Sequence, residues 1–176
     1  MHNTRTGVTT RFVRTAHDTN GKLLEMEVTY SPHSIEPVSH YHPCQSEDFV
    51  VLAGRLSVRM NDHVRTLVKG DSLHIPPNTV HAMWNDTAED TRVNWKVQPA
   101  LDTEYFLETV TGLANDNKTD KAGTPSLLQT AMLAWRFSPV FRLQRPPYVV
   151  QWLVLSLLAP IARMCGYRSV YSKYVN

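Results

Sequence analysis

Three histidines and one glutamate carry the chemistry this chain offers. His40 and His42 stand two apart, Glu47 follows them, and His81 lies downstream in a segment that opens at Gly70 and passes through Pro76. In an extended strand residues i and i+2 point to the same side, so His40 and His42 aim into one space while Tyr41 aims away. The run that begins at Glu47 and continues through Phe49 and Val51 reads as a neighbouring strand, and His81 begins or ends another. Three strands can then deliver three neutral nitrogens and one carboxylate to one interior point. That donor set suits a divalent transition metal (Fe, Mn, Ni or Zn, with Co and Cu also compatible), and an octahedral ion held by four side chains keeps about two positions open.

What has to position these side chains is a β-rich stretch from Thr9 to Gln98. Short apolar runs are punctuated by Asn20-Gly21, Asn61-Asp62 and Lys69-Gly70-Asp71, turn chemistry that at such regular spacing implies a sandwich or barrel. Leu24, Met26, Val28 and Tyr30 alternate with Glu25, Glu27 and Thr29, so one face of that strand is buried. The same alternation proposes a pocket lining: Val38 two before His40, Phe49 and Val51 at even steps after Glu47, and Met83 two after His81. Leu56, Val58 and Met60 offer a further wall. Such a pocket is apolar and aromatic and suits a hydrophobic small molecule. Tyr30 is the nearby candidate for a general acid or base. His74, at odd spacing from His81, reads as a surface histidine, and Arg55 and Arg59 as solvated.

The spacing His40-x-His42-x4-Glu47-x6-Gly54, followed by Gly70-x5-Pro76-x-Asn78-x2-His81-x3-Asn85, resembles the paired motifs of single-domain members of the cupin superfamily. The family usually has glycine where this chain has Ser34 and Asn78. Asn tolerates a left-handed backbone better than other side chains, so Asn78 can keep the turn, and all four ligand positions are present. The resemblance implies a mainly β protein, a small jelly-roll barrel, and a metal-dependent enzyme acting on a small organic molecule, foremost a dioxygenase. A metal-dependent isomerase and a non-catalytic module that captures a small ligand are the other classes it leaves open.

After Pro99 the pattern changes from period two to helical. We expect a barrel domain over residues 1–100 and a helical extension over residues 101–176. Helices are predicted over residues 104–114, capped by Asp102 or Thr103, from Thr124-Pro125 to about residue 137, and from the Pro146-Pro147 pair through the apolar residues 148–162. Residues 1–122 carry 12 basic and 16 acidic side chains, whereas residues 123–176 carry six basic ones and no acid. Fifteen helical residues reach about 22 Å, short of the roughly 30 Å hydrocarbon core, so the last helix is not a membrane span. It is expected to dock on the barrel or on a partner subunit, with peripheral membrane contact through Trp152 and the basic flanks as the alternative. Apolar helices on a barrel also lead us to expect a homodimer. Cys44 and Cys165 lie far apart and fit a reducing compartment, and the first residues contain no apolar signal core, so the expected location is the cytoplasm. Neither a phosphate-cradling glycine loop nor a basic-aromatic pattern for nucleic acid is present.

Overall fold

Alternation of apolar and polar residues becomes two facing sheets in the computed structural model, which describes residues 1–175. The strands are β1 (Val8–Arg14), β2 (Leu24–Tyr30), β3 (His40–Tyr41), β4 (Ser46–Ala53), β5 (Arg55–Met60), β6 (His63–Val68), β7 (Ser72–Ile75), β8 (His81–Trp84) and β9 (Thr91–Gln98). They are followed by α1 (Thr103–Asn115), α2 (Leu127–Arg136), the short β10 (Arg142–Leu143) and α3 (Tyr148–Met164). One five-stranded antiparallel sheet has the order β1-β2-β9-β4-β7 and the other β10-β3-β8-β5-β6. The chain is therefore a mainly β, cupin-like barrel with C-terminal helices.

The core lies between the sheets. Leu24, Met26, Val28, Phe49, Val51, Val93 and Val97 come from the first sheet and Leu56, Val58, Leu67 and Met83 from the second, all buried in one cluster. Burying each such side chain contributes about 1.5–3 kcal/mol relative to leaving it exposed, so this cluster dominates the stability of the barrel. The turn between β4 and β5 is made by Gly54, at φ +75. A Cβ there would stand 2.6 Å from the Asp90 carbonyl oxygen and 2.9 Å from Thr91 Cα. Both contacts are with backbone that cannot yield. Gly54→Ala is therefore expected to destabilise the fold by roughly 1–3 kcal/mol, seen as a lowered midpoint in chemical denaturation; an unchanged midpoint would show that the turn has slack.

The helices form a second, smaller core. Leu113, Leu133, Phe137 and Val140 are buried together, with Phe106, Val110, Phe141 and Tyr174 packed against them. α1 meets Tyr174 at Gly112, where an added Cβ would run into the Tyr174 ring. Tyr174 and Lys173 both bond Asp116 just after α1. α2 begins later than expected: Ser126 is its N-cap, its hydroxyl accepting from Gln129 N–H, while Thr124 and Pro125 lie outside it. Asp102 occupies the N-cap of α1 without a capping side-chain bond, because its carboxylate instead pairs with Arg136 at 2.6 Å.

Candidate metal centre

The site draws its side chains from both sheets. β3 and β8 run antiparallel with His40 opposite His81. His42 stands just after β3, its carbonyl accepting from Asn78 N–H at 2.9 Å. Asn78 has φ +64, the left-handed conformation that Asn tolerates better than other side chains. Ser34, the other departure, accepts the Asn85 N–H on its hydroxyl at 2.8 Å. Glu47 arrives from the opposite sheet, on β4 between Val97 of β9 and Ile75 of β7. Strand alternation puts Glu47, Phe49 and Val51 on one buried face.

The three imidazole centroids lie 4.6–5.3 Å apart, and the donor atoms of His40, His42 and His81 lie within 4.8 Å of one another. Each ring is oriented by a backbone carbonyl at Nδ1: Val38 at 3.0 Å for His40, Val140 at 2.5 Å for His42 and Thr79 at 2.9 Å for His81. A carbonyl only accepts, so Nδ1 carries the hydrogen in each ring and the neutral imidazole presents its Nε2 lone pair. This is the outer-sphere arrangement that orients histidine ligands in metal sites.

The carboxylate of Glu47 lies 2.9 Å from His81 Nε2 and 3.3 Å from His42 Nε2. These are close approaches without hydrogen-bond alignment, since His42 Nε2 and Glu47 Oε2 are both buried without a partner. Buried polar atoms left unpaired cost about 1–3 kcal/mol each. A cation among them would satisfy both atoms at once, so the residues present fit a divalent metal. Trp95 holds the other carboxylate oxygen, its indole N–H donating to Glu47 Oε1 at 3.0 Å.

Electrostatics prepare the same donor set. Burial, reinforced by the two neighbouring histidines, pushes His40 down to about 3, so it is neutral across the physiological range. Burial also lowers His42, against the opposing pull of Glu47. For His81 burial acts in the same sense, but contact with the Glu47 carboxylate outweighs it and the pKa is raised. Burial alone would raise Glu47; the surrounding imidazoles reverse this and hold it ionised. A proton therefore competes with a metal at His81 from above the usual histidine range. Metal affinity should be flat at high pH and fall by about tenfold per pH unit once His81 protonates. A competitive chelator titration across a pH series measures this, and affinity indifferent to acidification through the histidine range would exclude His81 as a ligand.

A cavity of about 220 Å³ is lined by His40, Glu47 and His81 together with Tyr30, Phe49, Met83 and Trp95. The N-terminal residues Met1, Asn3 and Thr6 and the α1 residues Leu107, Val110 and Thr111 complete it. The rings of Phe49 and Trp95 stack at 5.5 Å between centroids. Tyr30 lines the cavity with its pKa raised by burial and then by the Glu47 charge, so it stays a phenol near neutrality, able to donate a hydrogen bond and unable to serve as a base.

Three lining expectations are corrected. Val38 is 65% exposed and outside the cavity, because residues 31–39 are not a strand and alternation does not extend back from β3. Val51 shares the face of Glu47 but packs in the core between the sheets. Leu56, Val58 and Met60 likewise belong to or pack against that core and form no cavity wall. His74 is exposed and pairs with Asp48 at 2.7 Å, and Arg59 is held by Glu36. Trp95, two residues from Val93 and Val97 on one strand face, was accessible to the alternation argument. The contributions of Val140 and Phe141 had no sequence signal. The Phe141 ring stacks on His40 at 4.8 Å, β10 pairs with β3 through Arg142–Tyr41 and Leu143–His40, and Gln144 N–H donates to the Ser39 carbonyl.

Residues 26–97 match the family model described as a cupin domain. The matched segment, less than half of the chain, contains His40, His42, Glu47 and His81. Quercetin 2,3-dioxygenase of Bacillus subtilis (strain 168) is 32% identical over 96 residues, which is 54% of this chain and 28% of that protein; the chain thus spans well under half the length of that curated relative. Among solved structures, KdgF from Halomonas sp. aligns with a TM-score of 0.49 and 21% identity, over 55% of this chain and 83% of its own. An uncharacterized conserved protein with a double-stranded beta-helix domain from Klebsiella pneumoniae aligns with a TM-score of 0.47 and 22% identity, over 53% and 78%.

Proposed function

We propose that this protein is a metal-dependent dioxygenase acting on a small, apolar or aromatic organic molecule, with His40, His42, Glu47 and His81 holding the metal. The observation that carries this reading is the shared Nδ1-to-carbonyl anchoring of the three imidazoles, which leaves their Nε2 atoms free, those of His42 and His81 beside the buried Glu47 carboxylate. The similarity to quercetin 2,3-dioxygenase over 96 residues supports dioxygen as co-substrate. A bound divalent transition metal supplies the redox and Lewis-acid chemistry that side chains lack.

The chain's own residues do the rest. The Trp95 N–H keeps the Glu47 carboxylate turned toward the imidazoles. The stacked Phe49 and Trp95 rings, with Met83, form an apolar wall against which an aromatic ring packs and from which water is excluded. Tyr30 holds its proton and can donate to an oxygen of the substrate. At about 220 Å³ the cavity is smaller than the roughly 300–1,000 Å³ of pockets that enclose drug-sized ligands. A compact substrate is favoured.

The test is oxygen consumption. Purified protein, analysed for metal and reloaded in turn with Fe(II), Mn(II), Ni(II) and Zn(II), is screened against small phenolic and enolic compounds in an oxygen electrode. Substrate-dependent oxygen uptake with at least one redox-active metal is expected. Isomerised product without oxygen uptake would assign the isomerase class, and tight ligand binding without turnover under every metal would assign a binding module.

A further inference from the structure

α3 is apolar on both sides. Its inward face, Gln151, Ala159 and Ala162, is buried, with α2 packed alongside. At about 100° per residue, Val149, Val150, Leu153, Val154, Leu157 and Ile161 fall on the other side within an arc of about 140°. All six are exposed, Leu157 by 72% and Val149 by 68%, and Met164 at 89% extends the same stripe. A helix whose inner face is already packed has no intramolecular use for such an outer face, and a contiguous exposed apolar stripe marks a contact surface.

Charge decides what covers it. Residues 123–176 hold six basic side chains and no acidic one. Three of the six are engaged: Arg136 with Asp102, Lys173 with Asp116, and Arg142 with its guanidinium 3.6 Å from the Tyr148 ring centroid. Arg145, Arg163 and Arg168 make no ion pair among the described residues, and they flank the stripe, Arg145 ahead of α3, Arg163 in its last turn and Arg168 just beyond. Arg163 and Arg168 also line a common cleft of about 440 Å³ with Ser169. Two guanidiniums beside a hydroxyl suit phosphate oxygens. Two copies paired through α3 would bring these arginines together with no carboxylate on either helix to neutralise them. An anionic lipid layer satisfies both the apolar stripe and the arginines.

We infer that α3 docks the protein onto an anionic membrane surface, its Val149–Met164 stripe entering the headgroup boundary and the Arg163/Arg168 cleft taking a lipid phosphate. No helix among the described residues is long and apolar enough to cross a membrane, so α3 lies along the surface. Trp152, 48% exposed at the edge of the stripe, is placed as an interfacial aromatic.

The test uses the full chain with vesicles of phosphatidylcholine alone and of phosphatidylcholine mixed with phosphatidylglycerol. The protein should sediment with the mixed vesicles, remain in solution with the neutral ones, and be released as salt rises. Arg163→Gln with Arg168→Gln should weaken partitioning by about 30-fold, about fivefold for each cation removed. Leu157→Ser with Ile161→Ser should abolish it; all four positions are exposed, so an unchanged unfolding midpoint confirms that the variants fold. Failure of the parent to sediment with anionic vesicles, or equal sedimentation with neutral ones, overturns the inference. So does a dimer in light scattering that Leu157→Ser with Ile161→Ser dissociates in the absence of any vesicle binding, which would assign the stripe to a second copy.

Discussion

Replacing His42 or His81 with alanine should reduce divalent metal affinity by more than about 100-fold, beyond the 10- to 100-fold that loss of an outer-sphere partner costs. The barrel should stay folded. The fold should persist because the apolar cluster between the sheets that dominates its stability is left in place by either substitution. Each substitution also leaves Glu47, 1% exposed, with one fewer compensating ring, and a buried polar group so deprived costs about 1–3 kcal/mol. Elemental analysis of purified protein and far-UV circular dichroism read the two effects separately. Stoichiometric metal retained by a His40/His42/His81 triple alanine variant would remove these residues from the site.

Phe141→Ala should weaken metal retention by about 10- to 100-fold with little change in the barrel's secondary structure. Phe141 supplies no donor atom but packs its ring on His40, and the segment that carries it also supplies the Val140 carbonyl that fixes the His42 tautomer. Cutting the chain before Thr124 should have the larger effect. It removes both contacts, strips Leu133, Phe137 and Val140 from the buried Leu113, and exposes the Gly112 face on which Tyr174 packs. That product should be metal-poor and aggregate. A soluble, monodisperse truncation with full metal content would show that the helices take no part in the site.

The two effects bear differently on function. Loss of a histidine removes a donor, whereas loss of Phe141 leaves every donor present and loosens its aim, so metal added in excess should restore loading to Phe141→Ala and not to His42→Ala. Reloading followed by elemental analysis separates a ligand from a residue that positions one.

The sequence by itself determined the elements of local periodicity. Period two over residues 24–30 required a buried face made by Leu24, Met26, Val28 and Tyr30; the first three are buried and Tyr30 is half-buried. Asn78 was readable as a left-handed turn residue because steric exclusion acts within one residue, and its φ is +64. The histidine and glutamate spacing was legible for the same reason: side chains two apart on a strand have little choice of direction. Where the strand ended, that logic ended too, and Val38, in irregular chain two residues before β3, faces solvent.

Only the tertiary structure decided how the ends of the chain meet the barrel. The Val140 carbonyl reaches His42 across 98 residues of sequence, and β10, two residues long, joins the β3 edge through contacts that leave no periodic trace. The cavity is completed by residues before β1 and by α1, neither of which carries a binding motif. Contacts between distant segments depend on how packed elements happen to be oriented, and a one-dimensional pattern records an element's own faces without recording what each face meets. The outer stripe of α3 shows the same division: its apolar character is written in the sequence, but only the packing of Gln151, Ala159 and Ala162 against the protein reveals which side is left to face outward.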